Sequence, residues 1–483
     1  MRLHLRNKIR RAVSLAPDYS ARLAHSFGLK LGTAEDSRLR ALHNNDDALA
    51  WRIALIEQAQ HSIDAQYYSW HLDMTGLLLI DRLIDAADRG VRVRILLDDI
   101  HMFGLDRQIA TLNRHDNIEV RLFNPFTYRS RFRLIRMLEL LYNLNRLNHR
   151  MHNKLLVADN LVAIAGGRNI GDEYFNLHES FLFQDLDLML AGKCIEELSD
   201  SFDVYWNHHH SYTARKIISL RPGVRDLDHL RAQIKKRLQS SQSEISDIDL
   251  RKQGLFDDEQ AALLPIKAGI EIFYDSPTMD STGGKQTIDT LYECLLQTRE
   301  QIIIISAYFV PDEALIKTIR QLREKNIRIA VYTNSLASID VTVAFSGYER
   351  CRQHLLELGV ELFEYRAWTD NPHALDRRQA LHTKCIVYDT DKAYVGTLNL
   401  DPRSACLNTE IALLIDSPEL AMTIRDNIRQ QKNTRHYWRV EMDPTSGPRW
   451  HCGNTCLSVQ PSRGRWQRIS NWLFSFIPIH RHL

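Results

Sequence analysis

The sequence predicts an α/β fold built from two repeated halves, and three observations carry that expectation. The segment "MHNKLLVADNLVAIAGGRN", residues 151–169, returns without a gap as "LHTKCIVYDTDKAYVGTLN", residues 381–399. Ahead of each copy, strand-like runs rich in Ile, Val and Tyr alternate with helical patterns. At 483 residues the chain is long enough for two domains with separate cores.

The elements follow in the same order in both halves. "HSIDAQYYSW" (61–70) and "QIIIISAYFV" (301–310) read as buried strands. A helical pattern follows each, then the strands "VRVRILLDD" (91–99) and "IRIAVYTNS" (327–335), then "IEVRLFN" (118–124) and "VELFEYR" (360–366). Strand, helix, strand, helix, strand implies α/β units around a largely parallel sheet. Residues 213–265 are rich in Ser, Gln and charge and read as a polar insertion or linker, helical around "LRAQIKKRL". The expected layout is a basic N-terminal segment over 1–45, a first half over 46–212, this insertion, a second half over 266–440, and an amphipathic tail over 441–483.

Composition narrows the classes of function. A net charge of +2 gives little electrostatic basis for nucleic-acid binding. Seven Cys at scattered spacings do not form a disulfide framework, and "HCGNTC", His451 to Cys456, lacks the second pair that a zinc site needs. No run of 18 apolar residues is present, so no helix that spans a bilayer is expected. Both ends nevertheless mix cations with apolar residues at helical spacing. Leu5, Ile9 and Val13 fall four apart among Arg2, Arg6, Lys8, Arg10 and Arg11; Trp466, Ile469, Trp472, Leu473 and Phe476 stand beside Arg463, Arg465 and Arg468. Such ends read as membrane-surface segments or as segments packed on the body.

The repeated positions are the chemical ones. Seven of nineteen agree between the two copies: His, Lys, Val, Asp, Ala, Gly and Asn. On a strand, His152 and Lys154 share one face, as do His382 and Lys384. Asp159 and Asp389 fall at the following turn, where an Asp also has a purely structural use. Gly167 with Asn169, and Thr397 with Asn399, place small or hydroxyl residues and an amide after the next strand, where a backbone can approach a ligand closely. Two ammonium groups and two amides suit a phosphate, one imidazole can attack phosphorus, and the other can protonate the leaving oxygen. A carboxylate on the far ring nitrogen usually holds such a His. Asp185 in "FQDLDLML" and Glu410 in "LNTEIALLI" stand at comparable places; Asp185 is preferred to Asp187 because its downstream register matches Glu410.

At these residues the sequence resembles the phospholipase D superfamily, whose mark H-x-K-x4-D is intact twice, at His152, Lys154, Asp159 and at His382, Lys384, Asp389. The stretches "RLNHRMHNK", "GGRNIGDEYF", "TNSLASIDVTVAFSGY" and "GTLNLDPRS" resemble the type-C branch of the bacterial cardiolipin synthases. The resemblance implies two phospholipase D-like α/β/α halves related by a pseudo-twofold and sharing one active site without metal or other cofactor. It implies His152 as nucleophile through a phosphatidyl-histidine intermediate, and His382 as acid and then base. The expected substrates are phosphatidylglycerol as acceptor and phosphatidylethanolamine as donor, with no nucleic-acid partner. The expected place is the surface of the bacterial inner membrane. The alternatives are a phospholipase D that transfers to water, a nuclease or other phosphodiesterase of the superfamily, and a lipid-binding protein without activity.

Overall fold

A computed structural model describes residues 11–30, 36–129, 133–257, 264–278, 285–368 and 377–476. The basic positions 2–10 and the final residues 477–483 lie outside them. The chain forms two compact units. The first comprises Met1–Leu177, Asp187–Gly284 and Asn408–Ile411; the second comprises His178–Leu186, Lys285–Leu407 and Ala412–Leu483. This differs from the expected halves, because 408–411 belongs to the first unit and 178–186 to the second. The reason is strand pairing, and it bears directly on the site.

The strands in chain order are β1 (Ser37–Leu42), β2 (Ser62–Tyr67), β3 (Arg92–Asp98), β4 (Ile118–Phe123), β5 (Leu155–Ala158), β6 (Val162–Gly166), β7 (Phe181–Gln184), β8 (Asp187–Ala191), β9 (Ser211–Thr213) and β10 (Ile266–Tyr274). All but β7 form the sheet of the first unit, in the order β10-β1-β8-β6-β5-β2-β3-β4-β9. β1 therefore lies inside the sheet although it precedes the expected boundary at residue 46.

The second half of the chain continues with β11 (Gln301–Ser306), β12 (Arg328–Asn334), β13 (Glu361–Tyr365), β14 (Arg378–Leu381), β15 (Lys384–Tyr388), β16 (Lys392–Gly396), β17 (Ile411–Asp416), β18 (Tyr437–Asp443), β19 (Gly447–Cys452) and β20 (Thr455–Leu457). The second sheet runs β17-β16-β15-β11-β12-β13-β18-β19-β20. Its first seven positions repeat the order β8-β6-β5-β2-β3-β4-β9 of the first. The strands of "HCGNTC" are β19 and β20, a hairpin that extends this sheet beyond residue 440.

Each sheet is parallel only at β2-β3-β4 and β11-β12-β13. The expectation of a largely parallel sheet holds for those strands alone. The repeated segment turns back on itself, so β5–β6 and β15–β16 must be antiparallel. Their turns begin at Asp159 and Asp389, with φ of 52° and 51°, a left-handed conformation that Asp tolerates better than most residues.

Between β2 and β3, and between β11 and β12, runs a helix started by an Asp cap. Asp73 accepts from the Gly76 amide, and Asp312 accepts from the Leu315 amide. The strand faces bury Ile, Val and Leu: in the second unit Ile302, Ile304, Val331 and Leu362 pack with Ile319, Leu322, Phe345 and Leu355. Emptying one such position, as in Ile304→Ala, costs about 2–5 kcal/mol. The polar insertion is mostly two helices, Val224–Gln239 and Gln242–Asp257. They pack on the first unit's helices Met74–Asp88 and Asn45–Gln58, with Lys252 on Glu57 at 2.7 Å.

Candidate active site

His152 and His382 do not lie on strands; each sits just before one, at the entrance to β5 or β15. The backbone there is set by a short parallel pairing. In the first unit Met151 pairs with Thr409, and the His152 amide donates to the Thr409 carbonyl at 2.8 Å. One residue further, Glu410 Oε2 meets His152 Nδ1 at 2.8 Å. In the second unit β14 pairs with β7, Leu381 lies opposite Gln184, and the His382 amide donates to the Gln184 carbonyl at 2.7 Å. One residue further, Asp185 Oδ2 meets His382 Nδ1 at 2.7 Å. The two clamps are the same device: pairing at the residue before the His, and a carboxylate one step past the partner.

A carboxylate accepts, so each Nδ1 carries the hydrogen and the neutral ring keeps its lone pair on Nε2. Lys384 Nζ also lies 3.0 Å from His382 Nδ1. A protonated Nδ1 cannot accept from it, and the ammonium is bound to the His382 carbonyl. Lys154 makes the matching bond, Nζ to the His152 carbonyl at 2.6 Å. Both lysines are buried. Asp187, the competitor of Asp185, instead binds Arg52 at 2.8 Å and Arg168 at 3.1 Å.

The carboxylates at the end of the repeated motif are occupied elsewhere. Asp159 accepts from the backbone amides of Gln60, His61 and Ser62 at 2.7–3.1 Å. Asp389 accepts from those of Arg299, Glu300 and Gln301 at 2.8–3.3 Å. Each ties the turn after the His-Lys strand to the start of a parallel strand, β2 in the first unit and β11 in the second. These bonds give both carboxylates a positioning use in the turn. Asn169 is also engaged: Oδ1 accepts from the Ser69 amide at 3.3 Å and Nδ2 donates to Tyr174 at 3.0 Å. Asn399 is buried, and its side-chain carbonyl has no hydrogen-bond partner among the described residues. Gly167 and Thr397 are buried at the ends of β6 and β16.

Sequence reasoning missed the walls of both imidazoles and what holds their backbone. Tyr68 packs edge-on against His152 with centroids 4.9 Å apart, and its ring lies 5.4 Å from Lys154 Nζ. His101 packs on the other edge of Tyr68; burial first, then neighbouring positive groups, pushes its pKa down to about 4, so it adds no charge near neutral pH. Phe183 stands 4.8 Å from His382. Asp98, at the end of β3, accepts from the Met151 amide and from Arg150. Asn334, at the end of β12, accepts from the Leu381 amide at 2.9 Å and donates to the Leu381 and Ala307 carbonyls. A polar residue at the carboxyl end of a central parallel strand is a readable signal for such a site. Among the described residues two groups could hold a metal, His208 with His209 and His210, and His71 with Asp73 and Glu173; neither includes a residue of the repeated motif.

Each unit carries a His-Lys segment clamped by a carboxylate at the end of an interior strand of a repeated α/β sheet, an arrangement of the phospholipase D type. The chain belongs to the phospholipase D-like cardiolipin synthase family: the family described as "Cardiolipin synthase, PLD-like domain" matches residues 53–206 and 291–432. It is a phosphatidyltransferase of the phospholipase D superfamily. It is 36% identical to cardiolipin synthase C of Escherichia coli K12 over 460 residues, 91% of this chain and 94% of that protein. An uncharacterized protein of Helicobacter pylori 26695 is 34% identical over 396 residues, 80% of this chain and 78% of that one. The crystal structure of phosphatidylserine synthase from Haemophilus influenzae Rd KW20 shares the fold, with a TM-score of 0.57 at 16% identity, over 83% of this chain and 87% of that one.

Proposed function

We propose that the chain makes cardiolipin by transferring a phosphatidyl group from phosphatidylethanolamine to phosphatidylglycerol, with His152 and His382 serving one phosphorus. The observation that carries this reading is the duplicated clamp, His152 on Glu410 and His382 on Asp185. The identity to cardiolipin synthase C over nearly its whole length supports the choice of lipid.

In the first step His152 Nε2 attacks phosphorus, and the bond to the ethanolamine oxygen breaks. His382, entering as the imidazolium, gives its proton to that oxygen. In the second step the glycerol hydroxyl of phosphatidylglycerol loses its proton to His382 and attacks phosphorus. The P–N bond breaks, returning free His152 and cardiolipin. Glu410 and Asp185 hold the rings and stabilise the positive charge that each gains. Lys154, Lys384, Asn169, Asn399, Gly167 and Thr397 surround the phosphate oxygens. The lysine charges supply the positive field that divalent ions bring to other phosphoryl-transfer sites. Turnover is therefore expected to persist in EDTA; a loss restored by Zn²⁺ or Mg²⁺ would reject this account.

The same reading makes the chain peripheral on the bacterial inner membrane. Among the described residues no helix is long and apolar enough to cross a membrane. The C-terminal helix Arg465–Ser475 supports surface attachment, because it buries two polar residues and turns its large apolar ones outward. Gln467 binds the Leu336 carbonyl and Asn471 binds Glu349 at 2.6 Å, while Trp466 is 83% exposed and Phe476 67%. Removing residues 463–483 is expected to weaken binding to anionic liposomes more than it weakens turnover of a soluble diester. The reaction itself is tested with acyl-labelled phosphatidylethanolamine and unlabelled phosphatidylglycerol in mixed vesicles. Labelled cardiolipin is expected. Label confined to phosphatidic acid at every acceptor concentration would make water the acceptor and the enzyme a phospholipase D.

A further inference from the structure

The helix Arg133–Tyr142, "RLIRMLELLY", is inside out. Two of its charged side chains, Arg136 and Glu139, point into the protein. Arg136 is 8% exposed; its guanidinium lies 4.4 Å from the Phe126 ring centroid and binds Asp99 at 3.1 Å. Glu139 is 4% exposed and accepts from the amides of Thr127 and Tyr128 at 2.6 and 2.9 Å. The apolar side chains point outward: Leu134, Met137, Leu138 and Leu141 are each more than half exposed, and Tyr142 is 91% exposed. Water does not favour such a face, and a folded monomer rarely leaves one uncovered without a use.

We propose that this helix seats the first unit on an anionic phospholipid bilayer and brings lipid to His152, a proposal that rests on the phosphatidyl-transfer function above. Three observations select a bilayer as the occupant. At ten residues the helix is about 15 Å long, half the hydrocarbon thickness of about 30 Å, so it suits the interface and cannot span it. From Val120 to Ala158 the sequence holds a single acidic residue, Glu139, which is turned inward. The outward face of the helix therefore carries no carboxylate to repel anionic headgroups. The helix is also wired to the site: Asp99 holds Arg136 and Arg129, and its neighbour Asp98 holds Arg150 and the Met151 amide, one residue before His152. Nine residues lie between Tyr142 and His152, so a seated helix keeps the imidazole near the headgroup layer.

The test uses the full chain and vesicles of phosphatidylglycerol with phosphatidylcholine, measured by sedimentation without turnover. The double variant Leu138→Glu with Leu141→Glu is expected to lose at least about tenfold in vesicle affinity while cleaving a soluble short-chain phosphodiester at the wild-type rate. Leu138→Trp is expected to bind vesicles more tightly, and it carries the test if the double variant fails to fold. Vesicle affinity unchanged in both would overturn the proposal. So would a double variant whose only change is a smaller oligomer on gel filtration, which would make the face a contact with a second copy. Because binding is read without chemistry, a wild type that binds vesicles yet transfers no phosphatidyl group would remove the functional reading and leave the seating intact.

Discussion

The Met151 and Leu381 amides stand at the same place, one residue before a histidine, yet a carboxylate holds the first and an amide holds the second. Asp98 is paired with Arg150, and both are fully buried. Asn334 does the equivalent work without charge, through three bonds to backbone. Closer to the chemistry the units converge: 2.8 and 2.7 Å from Nδ1 to carboxylate, with Glu in one and Asp in the other. The repeat has therefore kept the geometry around each ring and let the supporting chemistry drift.

The largest break of this symmetry is loss of either ring. His152→Ala and His382→Ala are each expected to lower turnover by on the order of 10³-fold or more, with circular dichroism unchanged, because neither ring can take the other's part. Full activity in either variant would show that the two do not serve one phosphorus. Trapping sharpens the comparison further: a phosphorylated species isolated after quenching is expected on His152 in the His382→Ala protein, and none is expected in the His152→Ala protein.

Next come the clamps. Glu410→Gln and Asp185→Asn keep size and burial but remove the charge that fixes the Nδ1 hydrogen. Each is expected to cost on the order of 10²-fold in kcat with little change in KM. A variant that loses only KM would place its carboxylate on substrate instead.

A third pair of variants compares the two supports directly. Asp98→Asn leaves the buried Arg150 without its carboxylate, at a cost of about 3 kcal/mol. Asn334→Asp puts an unpaired carboxylate against two backbone carbonyls, at about 3–5 kcal/mol. Urea unfolding of each variant checks both. If Asn334→Asp proves the milder change, a cation must reach that position, and the two supports are more alike than their residues imply.

These comparisons also mark what the sequence could say. The in-register return of His, Lys, Asp, Gly and Asn was legible because chemistry restricts those positions. The first three strands of each half were legible because each is a short buried run of strand formers, Ile, Val, Leu, Phe and Tyr among them. The pairing of Asp185 with His382, and of Glu410 with His152, was not. It depends on residues 178–186 and 408–411 joining the unit opposite to their place in the chain, and local sequence carries no signal of that. The inverted helices were hidden differently: periodicity reports an amphipathic helix but not which face the protein buries. Arg136 and Glu139 are buried in one helix, and Gln467 and Asn471 in the other.

The smallest effect concerns the last residue of each motif. Asp159 and Asp389 make the same bonds to three successive backbone amides, but Asp159 is 1% exposed, whereas Asp389 is half-buried at the rim of its unit. An amide stripped of its acceptor in the interior stays unsatisfied, while one near the surface is met by water. Asp159→Ala is therefore expected to cost about 2–3 kcal/mol and Asp389→Ala about 1 kcal/mol, both read from chemical unfolding. Since both carboxylates are taken up by backbone amides, kcat of the folded protein should change by less than about threefold in either variant, a difference of under 1 kcal/mol in barrier. A large fall in kcat for Asp159→Ala, with stability and the circular dichroism spectrum intact, would return that carboxylate to the chemistry and break the equivalence of the two turns.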